Sequence, residues 1–124
     1  MKSVVICGSR RFKPEIREFA KELKELGIIV YEPYLHKGED SEEWYMMSDE
    51  YKKLVLTGLI LEHFYKIKMA DIVFIYNKNG YAGVSTTLEI GGALMLGKPI
   101  YALSMTKNYA EKLYLEALFL LLPN

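Results

Sequence analysis

Asp71-Ile72-Val73-Phe74-Ile75-Tyr76, then Gly83-Val84-Ser85-Thr86-Thr87-Leu88-Glu89-Ile90-Gly91-Gly92-Ala93, then Pro99-Ile100-Tyr101-Ala102-Leu103 follow one another along the chain with short connections. The first and third are brief apolar runs of β-branched and aromatic residues, which read as buried strands. The second opens on glycine and hydroxyl residues and runs to Gly97, which reads as a helix with a glycine stop. Strand, helix and strand in this order make a parallel βαβ unit.

Working outward, Val4 to Cys7 is a first buried strand, ended by Gly8-Ser9. Pro14 sits where a helix would begin, Ile16, Phe19, Ala20, Leu23 and Leu26 recur at helical spacing, and Gly27 closes the helix. Ile28 to Tyr31 is a second strand. Residues Tyr34 to Ser48 lack periodicity and read as a long loop with room for one short helical turn. Asp49 to Met69 reads as a long helix with Leu54, Leu61 and Phe64 on its apolar side, and Tyr109 to Leu122 as a last one. Alternating strands and helices predict an α/β fold: a doubly wound, mostly parallel sheet of four to five strands with helices on both faces. Residues 1–124 form one domain. In such sheets ligands gather at the carboxyl ends of the strands, here Gly8-Ser9-Arg10, the Tyr34–Ser48 loop, Asn77–Gly83 and Ser104-Met105.

Lysine plus arginine and aspartate plus glutamate balance at 16 each, so no net field draws the chain to a nucleic acid polymer or a membrane. Hydrophobic residues make up 51%, enough for a core without staples. The lone Cys7 excludes an internal disulfide and fits a reducing compartment, so a cytoplasmic location is expected. The first apolar run is too short for a signal peptide, and none approaches the ~20 residues a membrane span needs. Glutamine is absent while Lys, Glu and Tyr are plentiful, a bias of proteins from hot environments. The last helix is more apolar than one covered face requires, which predicts a homodimer or larger homo-oligomer.

Glu89 lies one turn into its helix between apolar Leu88 and Ile90. A surface glutamate near a helix start is common. The adjoining Gly91-Gly92, however, costs helix stability and implies that a strand or a ligand packs closely there. Gly83, Ser85 and Thr86 could simply cap the helix, with Ser85 as the cap, or hold a phosphate or sugar oxygen with the same donors. Arg10 is a candidate fork for phosphate after Gly8-Ser9. Neither GxGxxG nor a P-loop is present. His63 is a lone helical histidine, a type more often structural than catalytic. With His36, His63 and Cys7 scattered, no metal-ligand spacing stands out, and neither a metal nor an organic cofactor is expected. Tyr34, Trp44, Tyr45 and Tyr81 could stack a base. Asp40 and Asp49 are the nearest acidic candidates to work with Glu89.

The strand Asp71–Tyr76, the loop with Tyr81 and Gly83, Leu88-Glu89-Ile90-Gly91 and Leu96-Gly97-Lys98-Pro99-Ile100 resemble the nucleoside 2-deoxyribosyltransferase superfamily. Val4–Arg11 and the stretch from Glu62-His63-Phe64 to Asp71 are similar to a less characterised branch of it. The resemblance implies a flavodoxin-like, Rossmann-like domain that oligomerises and acts on the N-glycosidic bond of a nucleoside or nucleotide. It makes Glu89 the nucleophile at the anomeric carbon and places Gly8, Ser9 and Arg10 against a 5′-phosphate. A partial second resemblance links Gly83–Glu89 to the GxGTxxE of phosphoribohydrolases once called lysine decarboxylase-like, with Ser85 replacing a glycine.

Two departures stand out. The aspartate that transferases carry shortly before the glutamate is replaced by Gly83 and Val84. An aspartate in the helix before the third strand is missing, with His63 near its place. The acid that protonates the leaving base is thus unassigned among His63, Asp40 and Asp49. The expected function is cleavage or transfer at the N-glycosidic bond. The alternative is a nucleotide-binding or sensing module of the same fold.

Overall fold

A computed structural model describes residues 2–33 and 42–104. The expectations placed on Tyr34, His36 and Asp40, on Met105 and on the last helix lie outside the described residues. Among the described residues the strands are β1 (Ser3–Gly8), β2 (Ile29–Tyr31), β3 (Ile72–Tyr76) and β4 (Ile100–Ala102). They form one sheet in the order β2-β1-β3-β4, with every pairing parallel. The described α-helices are α1 (Lys13–Glu25), α2 (Glu42–Met46), α3 (Asp49–Met69) and α4 (Val84–Met95). The expected doubly wound, flavodoxin-like α/β architecture is the one observed. Among the described residues no helix is long and apolar enough to cross a membrane.

Strand alternation sorts the core into two layers. Ile6 points to one side, where Phe12, Ile16 and Ala20 from α1 and the segment before it cover it. Val5 and Cys7 point to the other side and join Val73, Ile75 and Ile100 beneath Ile67, Ile90 and Ala93 of α3 and α4. A fully buried valine or isoleucine is worth about 1.5–3 kcal/mol. β1 is thus covered on both faces, as a central parallel strand must be. It pairs with β3 from Val4↔Ile72 to Gly8↔Tyr76, so Gly8 and Tyr76 mark the carboxyl edge where the strand order reverses.

The boundaries have local causes. The Ser48 hydroxyl accepts the Tyr51 N–H at 3.2 Å and caps α3. Gly27 (φ 83°) and Gly97 (φ 66°) take the left-handed turns that stop α1 and α4. At the start of β3, Asp71 Oδ2 accepts the Ser3 N–H at 2.9 Å and the Ser3 hydroxyl at 3.1 Å. Lys98 Nζ donates to the Ala70 carbonyl at 2.8 Å, placing a cation at the end of α3.

The short helix for which the Tyr34–Ser48 stretch left room is α2. Two expectations need correction. Leu54 and Leu61 are exposed, and the described inner face of α3 is His63 and Ile67. An apolar pattern that runs all round the helix does not tell which side faces the sheet. Ser85 does not cap α4: Gly83 is the capping residue, with no side-chain hydrogen bond, and Ser85 lies inside the first turn. Thr87 Oγ1 instead donates to the Gly83 carbonyl at 2.9 Å.

Candidate functional site

Three side chains from three elements meet at the carboxyl edge of β1. Cys7 is the last buried residue of that strand, His63 comes from α3 and Glu89 from α4. His63 Nε2 lies 3.5 Å from Cys7 Sγ and 3.1 Å from Glu89 Oε2. The three donor atoms all fall within 4.8 Å of one another.

The approach of α3 to α4 is set by Gly92, one turn beyond Glu89. A Cβ at that position would lie 2.8 Å from Phe64 Cε1, so the ring rests directly on the glycine. Phe64 follows His63 in sequence, and its seat on Gly92 therefore fixes how far His63 stands from Glu89. The close packing expected at Gly91-Gly92 is real at Gly92, but its partner is an aromatic ring of a neighbouring helix, not a strand or a ligand. Gly91 is exposed and meets nothing within 4 Å among the described residues.

The electrostatics of the trio are unusual. Burial, the charge of Glu89 and a hydrogen bond to Glu89 together push the Cys7 thiol well above its ordinary range, so it stays a neutral S–H. Glu89 Oε2 is wholly buried. Although His63 stands 3.1 Å away, that contact lacks hydrogen-bond alignment, and Oε2 has no hydrogen-bond partner among the described residues. The Glu89 side chain is 16% exposed, so what it shows to solvent is not Oε2. Cys7 Sγ and His63 Nε2 are within hydrogen-bond distance, and the imidazole tautomer decides which of them donates. With Oε2 left without a hydrogen bond, the cluster offers lone pairs to a cation, a proton or an electrophilic carbon.

Other expected site residues ring the same edge. Gly8 ends β1, and a Cβ there would meet Ile16 Cδ1 at 2.8 Å and the Tyr76 carbonyl at 3.1 Å, so the turn requires glycine. The Ser9 hydroxyl is engaged in accepting the Arg11 N–H at 3.2 Å, as the cap of a short 3-10 turn. Arg10 is exposed beside it. Arg11 stacks its guanidinium 3.8 Å from the centre of the Tyr81 ring. Tyr81 also meets Phe12 edge-on at 5.9 Å, which ties the loop before α4 to the loop after β1. Gly83 is the N-cap of α4, Ser85 is exposed and Thr86 is buried in the helix's first turn.

Asp49 opens α3 and stands roughly 21 Å along the axis from His63, too far to work with Glu89. Trp44 and Tyr45 both lie within 6 Å of Lys52 Nζ, which sits about three helical turns before His63. A groove of about 600 Å³ lined by Arg17, Lys21, Lys24, Glu25, Glu32 and Pro33 contains none of the trio.

Sequence reasoning missed two members of this edge. Cys7 was read for its redox compartment and found to have no metal-ligand spacing; strand alternation puts it on the face opposite Ile6 but does not tell what it meets there. Asn77, 1% exposed, donates from Nδ2 to the Ser104 carbonyl at 2.8 Å and accepts the Ser104 N–H at 3.0 Å, joining the tips of β3 and β4.

No family model matches the chain, and no curated protein matches it in sequence. Solved structures do. A 2-deoxyribosyltransferase from the psychrotolerant bacterium Bacillus psychrosaccharolyticus aligns over 86% of this chain and 74% of its own, with 25% identity and a TM-score of 0.55. The CMP N-glycosidase BcmB of Clostridium botulinum aligns over 82% and 70%, with 22% identity and a TM-score of 0.50. A conserved protein from Enterococcus faecalis aligns over 96% and 75%, with 19% identity and a TM-score of 0.51.

Proposed function

From its nucleoside 2-deoxyribosyltransferase-like fold and its site, we propose that this chain is an enzyme that cleaves or transfers the N-glycosidic bond of a nucleoside or nucleoside 5′-monophosphate. Glu89 is the nucleophile. The observation that carries the reading is the placement of its carboxylate: on α4 at the β1/β3 edge, 3.1 Å from His63 and partly open to solvent. The transferase and the N-glycosidase of similar fold support chemistry at a nucleoside's sugar carbon.

In this reading a Glu89 oxygen attacks the anomeric carbon as the bond to the base breaks, and a covalent glycosyl ester forms. Water or a second base then displaces Glu89 from the same carbon and restores the carboxylate, the two-step logic of retaining glycosidases. His63 acts as a positioning residue. Its ring is buried, with Nε2 3.5 Å from Cys7 Sγ and 3.1 Å from Glu89 Oε2, so it faces the nucleophile rather than the open edge. The proton for that base comes from outside the trio. The turn Gly8-Ser9-Arg10, joined by the stacked Arg11, offers the positive charge that a 5′-phosphate needs. Tyr81 and the first turn of α4 at Gly83, Ser85 and Thr86 border the sugar.

The test is a base-release assay over ribo- and deoxyribonucleosides and their 5′-monophosphates, with and without an acceptor base, run in a chelator. Release or exchange is expected from wild type, and Glu89→Gln should abolish it while ligand affinity stays close to wild type. A slow fluorinated nucleoside should leave a glycosyl adduct on Glu89 by mass spectrometry. Turnover retained in Glu89→Gln would refute the assignment. Thermal stabilisation by nucleotides with no release across the panel would make the chain a binding module instead.

A further inference from the structure

We infer that Cys7, His63 and Glu89 form a binding site for a divalent transition metal, Zn2+ by preference, whose occupation takes Glu89 out of glycosyl chemistry. The donor set is one thiol, one imidazole and one carboxylate, converging from a strand and two helices to within 4.8 Å. That mixture suits a borderline-soft ion and rejects Mg2+ and Ca2+, which take oxygen ligands.

The spacing agrees with tetrahedral coordination. Ideal Zn–S and Zn–N lengths place the two ligand atoms ~3.5 Å apart, and Sγ and Nε2 are 3.5 Å apart here. The nitrogen–oxygen pair should stand ~3.4 Å apart, against 3.1 Å for Nε2 and Oε2. Glu89, with three rotatable bonds, supplies the remaining adjustment. Oε2, wholly buried and without a hydrogen-bond partner among the described residues, is the oxygen such an ion would satisfy.

On binding, the Cys7 S–H proton passes to solvent and the thiolate, the imidazole nitrogen and the carboxylate each donate a lone pair to the metal. The Glu89 oxygen so engaged no longer attacks carbon. Metal binding follows from the donors alone, whereas its effect on turnover rests on the glycosidic reading above.

The experiment titrates the chelator-stripped full chain with Co2+. Expected are a thiolate-to-cobalt charge-transfer band, visible bands of tetrahedral intensity saturating at one equivalent, and their loss on adding Zn2+. Zn2+ should also raise Tm while Mg2+ leaves it unchanged. Cys7→Ser and Glu89→Gln, each checked for native circular dichroism, should weaken Co2+ by more than the ~10–100-fold typical of losing an outer-shell partner. No charge-transfer band with an unmoved Tm in wild type overturns the site, as does an unchanged band in Cys7→Ser. Should Cys7→Ser not fold, the wild-type spectrum and Glu89→Gln decide. A cobalt spectrum without a Glu89 glycosyl adduct in chelator overturns the glycosidic reading alone. An adduct without the spectrum overturns the metal site alone.

Discussion

Gly91→Ala and Gly92→Ala make the same chemical change one residue apart in α4, and the structure assigns them opposite effects. Replacing a helix-interior glycine by alanine stabilises by about 1 kcal/mol through the backbone alone. Gly91 is exposed and an added methyl meets nothing within 4 Å among the described residues, so Gly91→Ala should show that gain in full. At Gly92 the same methyl would lie 2.8 Å and 3.2 Å from two Phe64 ring carbons. A flat ring packed against the core cannot swing aside as a lysine tip could, so α3 must move. Overpacking of this kind costs about 1–3 kcal/mol, which cancels or exceeds the helix gain. The two variants should therefore differ by about 1–3 kcal/mol, the steric part isolated from propensity. Urea unfolding reads this directly, since 1 kcal/mol moves the midpoint by roughly 0.3–1 M for a small domain. A displaced Phe64 also carries His63 off Glu89, so on the proposed function Gly92→Ala should lose turnover and Gly91→Ala should keep it. If Gly92→Ala proves as stabilising as Gly91→Ala, α3 does not rest on Gly92, and the account of how His63 is placed fails with it.

Three further outcomes follow from the same contacts. On the proposed glycosidic reading, His63→Ala should lower kcat by about 100-fold with KM little changed, because it would misplace Glu89 without touching substrate; steady-state kinetics on the released base separates the two constants. Asn77→Ala should cost about 2 kcal/mol in urea unfolding, because it leaves the Ser104 N–H and carbonyl without their buried partner. The Ser3 backbone N–H, and then its hydroxyl, hold the Asp71 carboxyl below its ordinary 3.8, so the stability it adds is present above that value and fades as pH falls through the lowered one. The advantage of wild type over Asp71→Asn should accordingly be larger at pH 6 than at pH 3, read as the difference in urea midpoints.

Much of this was legible in the chain because local signals and global fold agree. β3, Ile72–Tyr76, lies within the run Asp71–Tyr76 whose composition predicted a strand, and α3 runs over the predicted Asp49–Met69 because Ser48 caps one end and Lys98 engages the other. Gly27 and Gly97 mark true helix stops through their positive φ. The orientation of α3 was not legible. Leu54 and Leu61 look like core residues but are exposed, while His63 is buried, since an all-round apolar helix carries no directional signal. The partner of Gly92 was hidden for a related reason: periodicity announces that something packs on a glycine, not which element supplies it. Cys7 escaped because a lone cysteine has no spacing to read, and its meaning depends on a histidine 56 positions away.

β1, paired on both edges, is made before either strand that pairs with it. One side of β1 can be covered early, since Ile6 finds Phe12 and Ile16 within the next few residues. Its other side, Val5 and Cys7, has to wait for Ile67, Ile75 and Ile90. Gly8 meets its β3 partner Tyr76 about 68 residues later, an interval of roughly 3–14 s during synthesis. Through that interval an apolar, β-branched segment with an unpaired edge leaves the ribosome, the kind of stretch on which nascent chains associate wrongly. Cys7 is translated early and Glu89 late, so a chain halted before α4 has a scaffold in progress and lacks the residue that completes the trio.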